Sequence, residues 1–240
     1  QRSWSEKWGA SWGVTTVGDF VSKEKRVMYS QIGMEYRKLL TGKVVSTEEA
    51  KRLAQELFRN NERAEVDLSP LLKGRVEGYG GTLAGYKNRL KTEGSLARKI
   101  TLEALNDGLS EAIVAGRITD GVRYTALFQA SELTNKARAV CDDILAEGFQ
   151  LVKVRNYYSK AGSYHGLHLI FKNQQGAFEL QFHTPESFQI KDKNHYDYEV
   201  NRAKGVSDLT RSFTEKWMRS EWNGFVIPRD IDLFFDYLDL

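Results

Sequence analysis

Apolar residues recur along this chain at two periods. After Glu48, Leu53, Leu57 and Phe58 fall on one face of a helix that the pattern carries to about Ala64. Ser46-Thr47-Glu48-Glu49 stands before them with serine and glutamate three apart, a capping box that predicts the helix start. Asp67 to Pro70 predicts its interruption. From Leu96 to about Ala115 the helical spacing returns in Leu102, Leu105, Leu109 and Ile113. Val122 to Phe128 reads as a strand, and Ser131 predicts the cap of a helix reaching Glu147, where Gly148 is a natural stop.

Three strand candidates follow, at 149–157, 166–173 and 177–183, with Asn173-Gln174-Gln175-Gly176 as a hairpin turn between the last two. A helix near 190–203 and less regular segments lead to an aromatic tail, Phe234-Phe235-Asp236-Tyr237. Helices, a strand, a helix, three strands and helices again predict an α+β fold, a mixed sheet with helices packed on it. Upstream, residues 1 to about 45 carry Trp4, Trp8 and Trp12 and a basic stretch with one helix near 23–40. Residues 1–70 read as a helical arm and 71–240 as the domain proper. The glycines between Gly74 and Gly85 suggest a helix start or a flexible cover loop, since no Gly-Lys-Ser/Thr follows as a phosphate loop requires.

Composition narrows the function. The 240 residues are 41% hydrophobic and 28% charged, ordinary for a globular protein, and no apolar run is long enough to span a bilayer, so no membrane partner is expected. A net charge of +3 from 35 basic and 32 acidic residues is too balanced for nonspecific nucleic-acid binding. One cysteine, Cys141, excludes an internal disulfide, and four histidines beside it give no zinc-type spacing. The chain begins at Gln1 without methionine and reads as a processed chain or a piece of a longer one.

Three groups carry chemistry. Arg89, Lys91, Ser95 and Lys99 gather basic groups, residues 95 and 99 lying one helical turn apart; the set is a polyphosphate clamp or a solvated charged face. Asp120 and Arg123 stand at the entry of a strand, where Asp120 is either a magnesium ligand or a turn residue. The third group joins Tyr164, His165 and His168 to the alternating Glu179, Gln181 and His183, all on one strand face, while Phe178, Leu180 and Phe182 take the other. Arg155, Lys160 and His195 extend it. A face of Glu, Gln and His needs water or a ligand over it.

In order, Arg-x-Lys-x-x-x-Ser-x-x-x-Lys, Asp and Arg at a strand, Tyr-x-Gly-Leu-His and Glu-Leu-Gln-x-x-Thr resemble the RelA/SpoT-type alarmone synthetase domain across about residues 75–203. The resemblance implies an enzyme that transfers pyrophosphate from ATP to the ribose 3′-hydroxyl of a purine nucleotide and releases AMP. It implies a mostly antiparallel, five-stranded type of sheet. Arg89, Lys91, Ser95, Lys99 and Arg123 would meet ATP, and Asp120 and Glu179 would hold magnesium, the implied cofactor. Glu179, with Asp120 and Gln181, would carry catalysis by activating the 3′-hydroxyl. Tyr164 would stack on the acceptor base, with Lys160, Arg155, His168, His183 and His195 around the acceptor. His183 stands where the long bifunctional enzymes usually carry arginine, and Asp120 lies closer to Arg123 than in the family, with Ile118 at the usual place.

No upstream His-Asp hydrolase pattern is present, which implies synthesis without degradation. The chain is similar to the toxin-type members, which implies action in the bacterial cytoplasm, delivery as the C-terminal part of a larger protein, and a cognate immunity or antitoxin partner. Pyrophosphate transfer to the 3′ end of tRNA is a variant of the same chemistry. ADP-ribosyl transfer, a nucleotide sensor without catalysis, and a phage structural module are the competing readings. ADP-ribosyl transfer also uses a strand glutamate, and the Arg89, Lys91, Ser95 and Lys99 series counts against it; Glu179 counts against the binding-only readings, because a carboxylate beside acceptor phosphates repels them unless a metal intervenes.

Overall fold

The computed structural model describes residues 45–202 and 206–238. The first 44 residues of the predicted arm, with the helix near 23–40, lie outside them. The described residues divide into two compact units, the larger taking in 45–188 and 224–238 and the smaller 189–202 and 206–223.

Helix α1 (Glu48–Gly78) opens the larger unit. Its cap is Thr47, whose Oγ1 accepts the Ala50 N–H at 2.9 Å, rather than Ser46 as the capping-box spacing suggested. It does not stop at Asp67–Pro70: Pro70 sits inside the helix, exposed, while Leu68, Leu72 and Val76 on the buried side keep it packed. Tertiary burial outweighs the hydrogen bond a helical proline forfeits. The helix therefore crosses the expected boundary at residue 70, and Gly74 and Gly78 belong to it.

Strand β1 (Thr82–Ala84) and a 3₁₀ turn (Tyr86–Asn88) lead to α2 (Glu93–Asp107) and α3 (Glu111–Arg117). The single helix expected over 96–115 is two helices. Gly108, at φ 66°, caps the first in a left-handed conformation open mainly to glycine, and Ser110 caps the second. The face differs too. Leu105 and Ile113 are exposed, and α2 buries Ala104 together with Leu96, Ala97 and Ile100, the last three packing with Ala50 and Ala54 of α1. Alanines let those helices approach closely, a signal that a leucine count passes over.

The remaining elements are β2 (Arg123–Leu127), α4 (Leu133–Ala146), β3 (Gln150–Asn156), β4 (Leu167–Lys172), β5 (Ala177–His183) and α5, whose span is Pro185–Arg202. A two-residue strand, β6 (Tyr237–Leu238), closes one edge. Helix α4 starts at Leu133 without the side-chain cap expected from Ser131. The sheet order is β1-β2-β5-β4-β3-β6, with β2 and β5 parallel and every other pair antiparallel. This is the expected mixed, mostly antiparallel sheet, with β6 as an added edge. The predicted turn forms, the Asn173 N–H donating to Gly176 O at 2.9 Å.

One face of the sheet is apolar throughout. Tyr124, Ala126, Leu167, Leu169, Phe171, Phe178, Leu180 and Phe182 bury there with Leu133, Ala137, Val140, Cys141 and Ile144 of α4. Each large side chain so buried is worth roughly 1.5–3 kcal/mol, so the register is strongly held and the polar residues are forced onto the opposite face. In the smaller unit, α6 (Asp208–Ser220) is capped by Ser207, and Asn194 of α5 donates to Met218 O. Among the described residues no helix is long and apolar enough to cross a membrane.

Candidate functional site

Strand register gathers the polar face. Arg123 of β2 pairs with Glu179 of β5, Ile170 of β4 pairs with Glu179, His168 with Gln181, and Arg155 of β3 with His168. Directly paired residues share a face, so Arg123, Glu179, Gln181, His168 and Arg155 line one surface. Lys153 joins them through the irregularity between Leu151 and Lys153 that sets it opposite Ile170. Burial lowers the Lys153 ammonium and Arg155 adds to the effect, while Glu179 opposes both.

At the edge near β2, Leu90 bridges Val122 in antiparallel fashion: Lys91 N–H donates to Gly121 O at 2.9 Å and Arg123 N–H to Arg89 O at 2.7 Å. Asp120 is thereby brought to Lys91 Nζ at 2.6 Å and Lys99 Nζ at 2.7 Å, with Arg123 Nη2 at 4.0 Å. Burial alone would raise the Asp120 carboxyl, but Lys99 and Lys91 outweigh it and hold the group well below the usual carboxylate range. Lys91 nevertheless titrates below an ordinary lysine, because burial and its cationic neighbours exceed what Asp120 restores. The attraction is expressed on the carboxylate, which two ammonium groups share. Ser95 lies in the first turn of α2, where its hydroxyl accepts the Thr92 hydroxyl at 2.9 Å.

Helix α1 supports this edge. Glu65 Oε1 accepts Arg89 Nε at 2.5 Å and also binds Ser69, whose Oγ lies 2.9 Å from Tyr124 Oη. Arg89 also lies over the Tyr86 ring, 4.4 Å from its centroid. The Arg89 hydrogen bond holds the Glu65 carboxyl below its ordinary value, and burial pushes the Tyr124 phenol up to about 12. Asn61 packs on Gly121, where an added β-carbon would come 2.2 Å from Asn61 Nδ2.

At the other side, Glu179 Oε1 accepts the Gln181 amide and lies 3.4 Å from His168 Nδ1. The Tyr164 hydroxyl sits 2.5 Å from His168 Nε2 and 2.9 Å from His183 Nε2. Burial pushes this phenol well above its ordinary range. Its ring meets Tyr157, His168 and His183 edge-on, with centroids 5.3, 5.5 and 5.8 Å away. His183 is wholly buried, and its Nδ1 reaches Ser187 Oγ at 2.9 Å. His165 turns away from this cluster, its Nδ1 at the Tyr157 carbonyl and its ring stacked near Phe225. Lys160 lies 5.2 Å from the Tyr157 ring centroid and pairs with Asp236 of the C-terminal tail.

The fold thus brings together Arg89, Lys91, Ser95, Lys99, Asp120 and Arg123 at one edge, and Arg155, Tyr164, His168, Glu179, Gln181 and His183 along the polar face, with Lys160 beside Tyr157. His195 lies exposed on the part of α5 that belongs to the smaller unit. Lys153, Tyr157, Glu65, Asn61 and Asp236 were not singled out in the sequence. The alternation Lys153-Val154-Arg155 was a usable signal for the first. Glu65 and Asp236 act over 24 and 76 residues, and no local pattern announces such contacts.

The two carboxylates are of the chemical type a hard cation takes, although Lys91 and Lys99 occupy both oxygens of Asp120. Magnesium takes one or two carboxylates and completes its shell with phosphate oxygens and water, which Asp120 and Glu179 are chemically able to share. Among the described residues no three carboxylates, histidines or cysteines cluster as a self-sufficient metal site.

A scan of protein-family models finds no match to this chain, and a search of curated proteins finds none either. Solved structures do resemble it. Small alarmone synthetase 1 from Bacillus subtilis bound to its product pppGpp matches at 16% identity with a TM-score of 0.50, over 70% of this chain and 90% of that one. A GTP pyrophosphokinase family protein from Streptococcus pneumoniae matches more weakly, at 15% identity and a TM-score of 0.48, over 74% of this chain and 89% of that one. The chain shares the fold of the first of these.

Proposed function

We propose that the protein is a nucleotide pyrophosphokinase, transferring pyrophosphate from ATP to the 3′-hydroxyl of a purine nucleotide. The observation that carries this reading is the division of one sheet face into a cationic edge and a carboxylate held against an aromatic cluster, one for polyphosphate and one for a hydroxyl on a ringed acceptor. The shared fold with an alarmone synthetase supports it.

In this reading Arg89, Lys91, Lys99 and Arg123 take the ATP phosphates, and Ser95 offers a hydroxyl from the first turn of α2. The acceptor 3′-oxygen attacks the β-phosphorus, the bond from that phosphorus to the α-phosphate oxygen breaks, and AMP leaves. Glu179 receives the hydroxyl proton. Lys153 and Arg155 face the same surface and neutralise charge on the acceptor side, with Lys160 next to them. Such transfer is mostly positioning and charge neutralisation, so no covalent nucleophile is required. Magnesium would be held by Glu179 and Asp120 with the phosphates, and would supply further neutralisation of the transferred group. Tyr164 bounds the acceptor position by its ring, while its hydroxyl is engaged by histidines.

The same proposal includes the finer expectations, that guanosine or adenosine phosphates serve as acceptor and that ATP depletion makes the domain a toxin with an immunity partner. Purified protein mixed with magnesium, ATP and GDP, GTP, AMP, ADP, ATP or tRNA in turn tests the chemistry. AMP release with a pyrophosphorylated acceptor, abolished in Glu179→Ala, is expected. Unchanged ATP with every acceptor contradicts it. Growth arrest on expression in bacteria, absent in Glu179→Ala, tests the toxin role.

A further inference from the structure

We infer that His183 and Ser187 are positioning residues for the catalytic carboxylate, acting through a hydrogen-bonded chain of one polarity that runs from Tyr158 to His168, whose Nδ1 faces Glu179. The inference rests on the pyrophosphokinase reading for its function but not for its geometry. The direction of the chain is set at Ser187. Its Oγ accepts the Thr184 N–H at 2.9 Å and has Tyr158 Oη at 3.0 Å. With those donors on its two lone pairs, its own proton has two destinations, His183 Nδ1 at 2.9 Å or Thr184 O at 3.2 Å. The reverse arrangement would have His183 Nδ1 donate to Ser187 and Ser187 to Tyr158 Oη at 3.0 Å, and would leave the Tyr158 proton to Phe182 O at 3.5 Å. The shorter contacts therefore fix the direction: Tyr158 donates to Ser187, and Ser187 to His183 Nδ1.

The rest follows from proton counting. His183, bare at Nδ1, carries its proton on Nε2 and donates to the Tyr164 oxygen. Tyr164 donates to His168 Nε2 at 2.5 Å, which leaves the His168 proton on Nδ1, 3.4 Å from Glu179 Oε1. An ionised carboxylate only accepts, so a protonated Nδ1 is the group suited to face it. Gln181 donates to the same Oε1. The chain thus fixes the ring that faces this oxygen of Glu179. Gly166 permits it, since a β-carbon there would lie 2.7 Å from both Tyr164 Oη and His183 Cε1.

Long-range ¹H–¹⁵N spectra of the full chain labelled at histidine nitrogens, recorded near pH 8 without nucleotide, read the tautomers directly. The expected result is His183 protonated at Nε2 alone and His168 at Nδ1 alone. His183 protonated at Nδ1, or either ring doubly protonated, overturns the inference, and this spectrum stands whether or not the protein transfers pyrophosphate. If the pyrophosphokinase reading holds, His183→Leu lowers kcat by about 10- to 100-fold with the KM for ATP unchanged, the scale seen when a working histidine loses an outer partner. His183→Gln, whose amide can still donate to Tyr164, restores most of the loss. Equal losses in both variants would overturn the positioning role.

Discussion

Gly166 lies where His183 reaches the Tyr164 hydroxyl, and a β-carbon at that position would stand 2.7 Å from both partners. Gly166→Ala is therefore expected to separate Tyr164 from His183 and to destabilise the fold by about 1–3 kcal/mol, the usual cost of overpacking. Thermal unfolding and the ¹⁵N shifts of His183 check this together. An unchanged melting temperature with unchanged histidine signals would contradict it.

Asp120 holds two ammonium groups, and Asp120→Asn leaves Lys91 and Lys99 facing each other uncompensated. With side-chain exposures of only 16% and 28%, the lysines are screened poorly, and a loss of up to about 3 kcal/mol is expected. Because phosphate can replace the carboxylate, ATP or pyrophosphate should restore more melting temperature to this variant than it adds to the parent. A smaller ligand shift in the variant would contradict the phosphate role of the lysines.

The same carboxylate sets an acid dependence. Its folded-state value lies below the ordinary 3.8, so its contribution is fully present above that pH and is lost as pH falls from 3.8 toward the depressed value. Between pH 6 and pH 3 the parent should lose more stability than Asp120→Asn, measured by denaturant unfolding. Parallel losses would place the pH dependence elsewhere.

Glu65 fixes Arg89 from α1 through Nε at 2.5 Å. Glu65→Gln should cost roughly 1.5–3 kcal/mol, as expected for a part-buried hydrogen bond to a charged group, and raise the KM for ATP about tenfold with the acceptor KM little changed. An acceptor-only defect would separate Arg89 from the donor site.

Lys160 is neutralised by Asp236, a pair with both side chains nearly half exposed. Asp236→Asn keeps an oxygen for the Asn156 N–H, removes the charge, and should alter stability by less than about 1 kcal/mol. Freed of its partner, Lys160 should lower the acceptor KM. A raised or unchanged KM in acceptor titrations would contradict its role there.

Strand residues were the legible part of this site. Alternation alone put Glu179, Gln181 and His183 on one face, because Phe178, Leu180 and Phe182 leave a strand no other way to bury its apolar side. The helices were less legible. Pro70 suggested a break that Leu68, Leu72 and Val76 override through packing, and the leucines at 102, 105 and 109 drew attention from the alanines that pack α2 on α1. Illegible altogether were Glu65 under Arg89, Asn61 on Gly121 and Asp236 on Lys160, since each joins segments far apart in the chain. His183 shows the intermediate case: its face was readable, but its burial against Tyr164 and Ser187 required the folded loop at Gly166.

The fate of the β-phosphate tests the central claim most directly. With ATP labelled at the β-phosphorus, magnesium, a purine nucleotide acceptor and excess enzyme in a single turnover, the label should move to the acceptor together with the γ-phosphate while AMP is released, and should remain in ATP with Glu179→Ala. Label recovered in ADP, label unmoved in the parent protein, or full transfer by Glu179→Ala would contradict pyrophosphate transfer by this carboxylate.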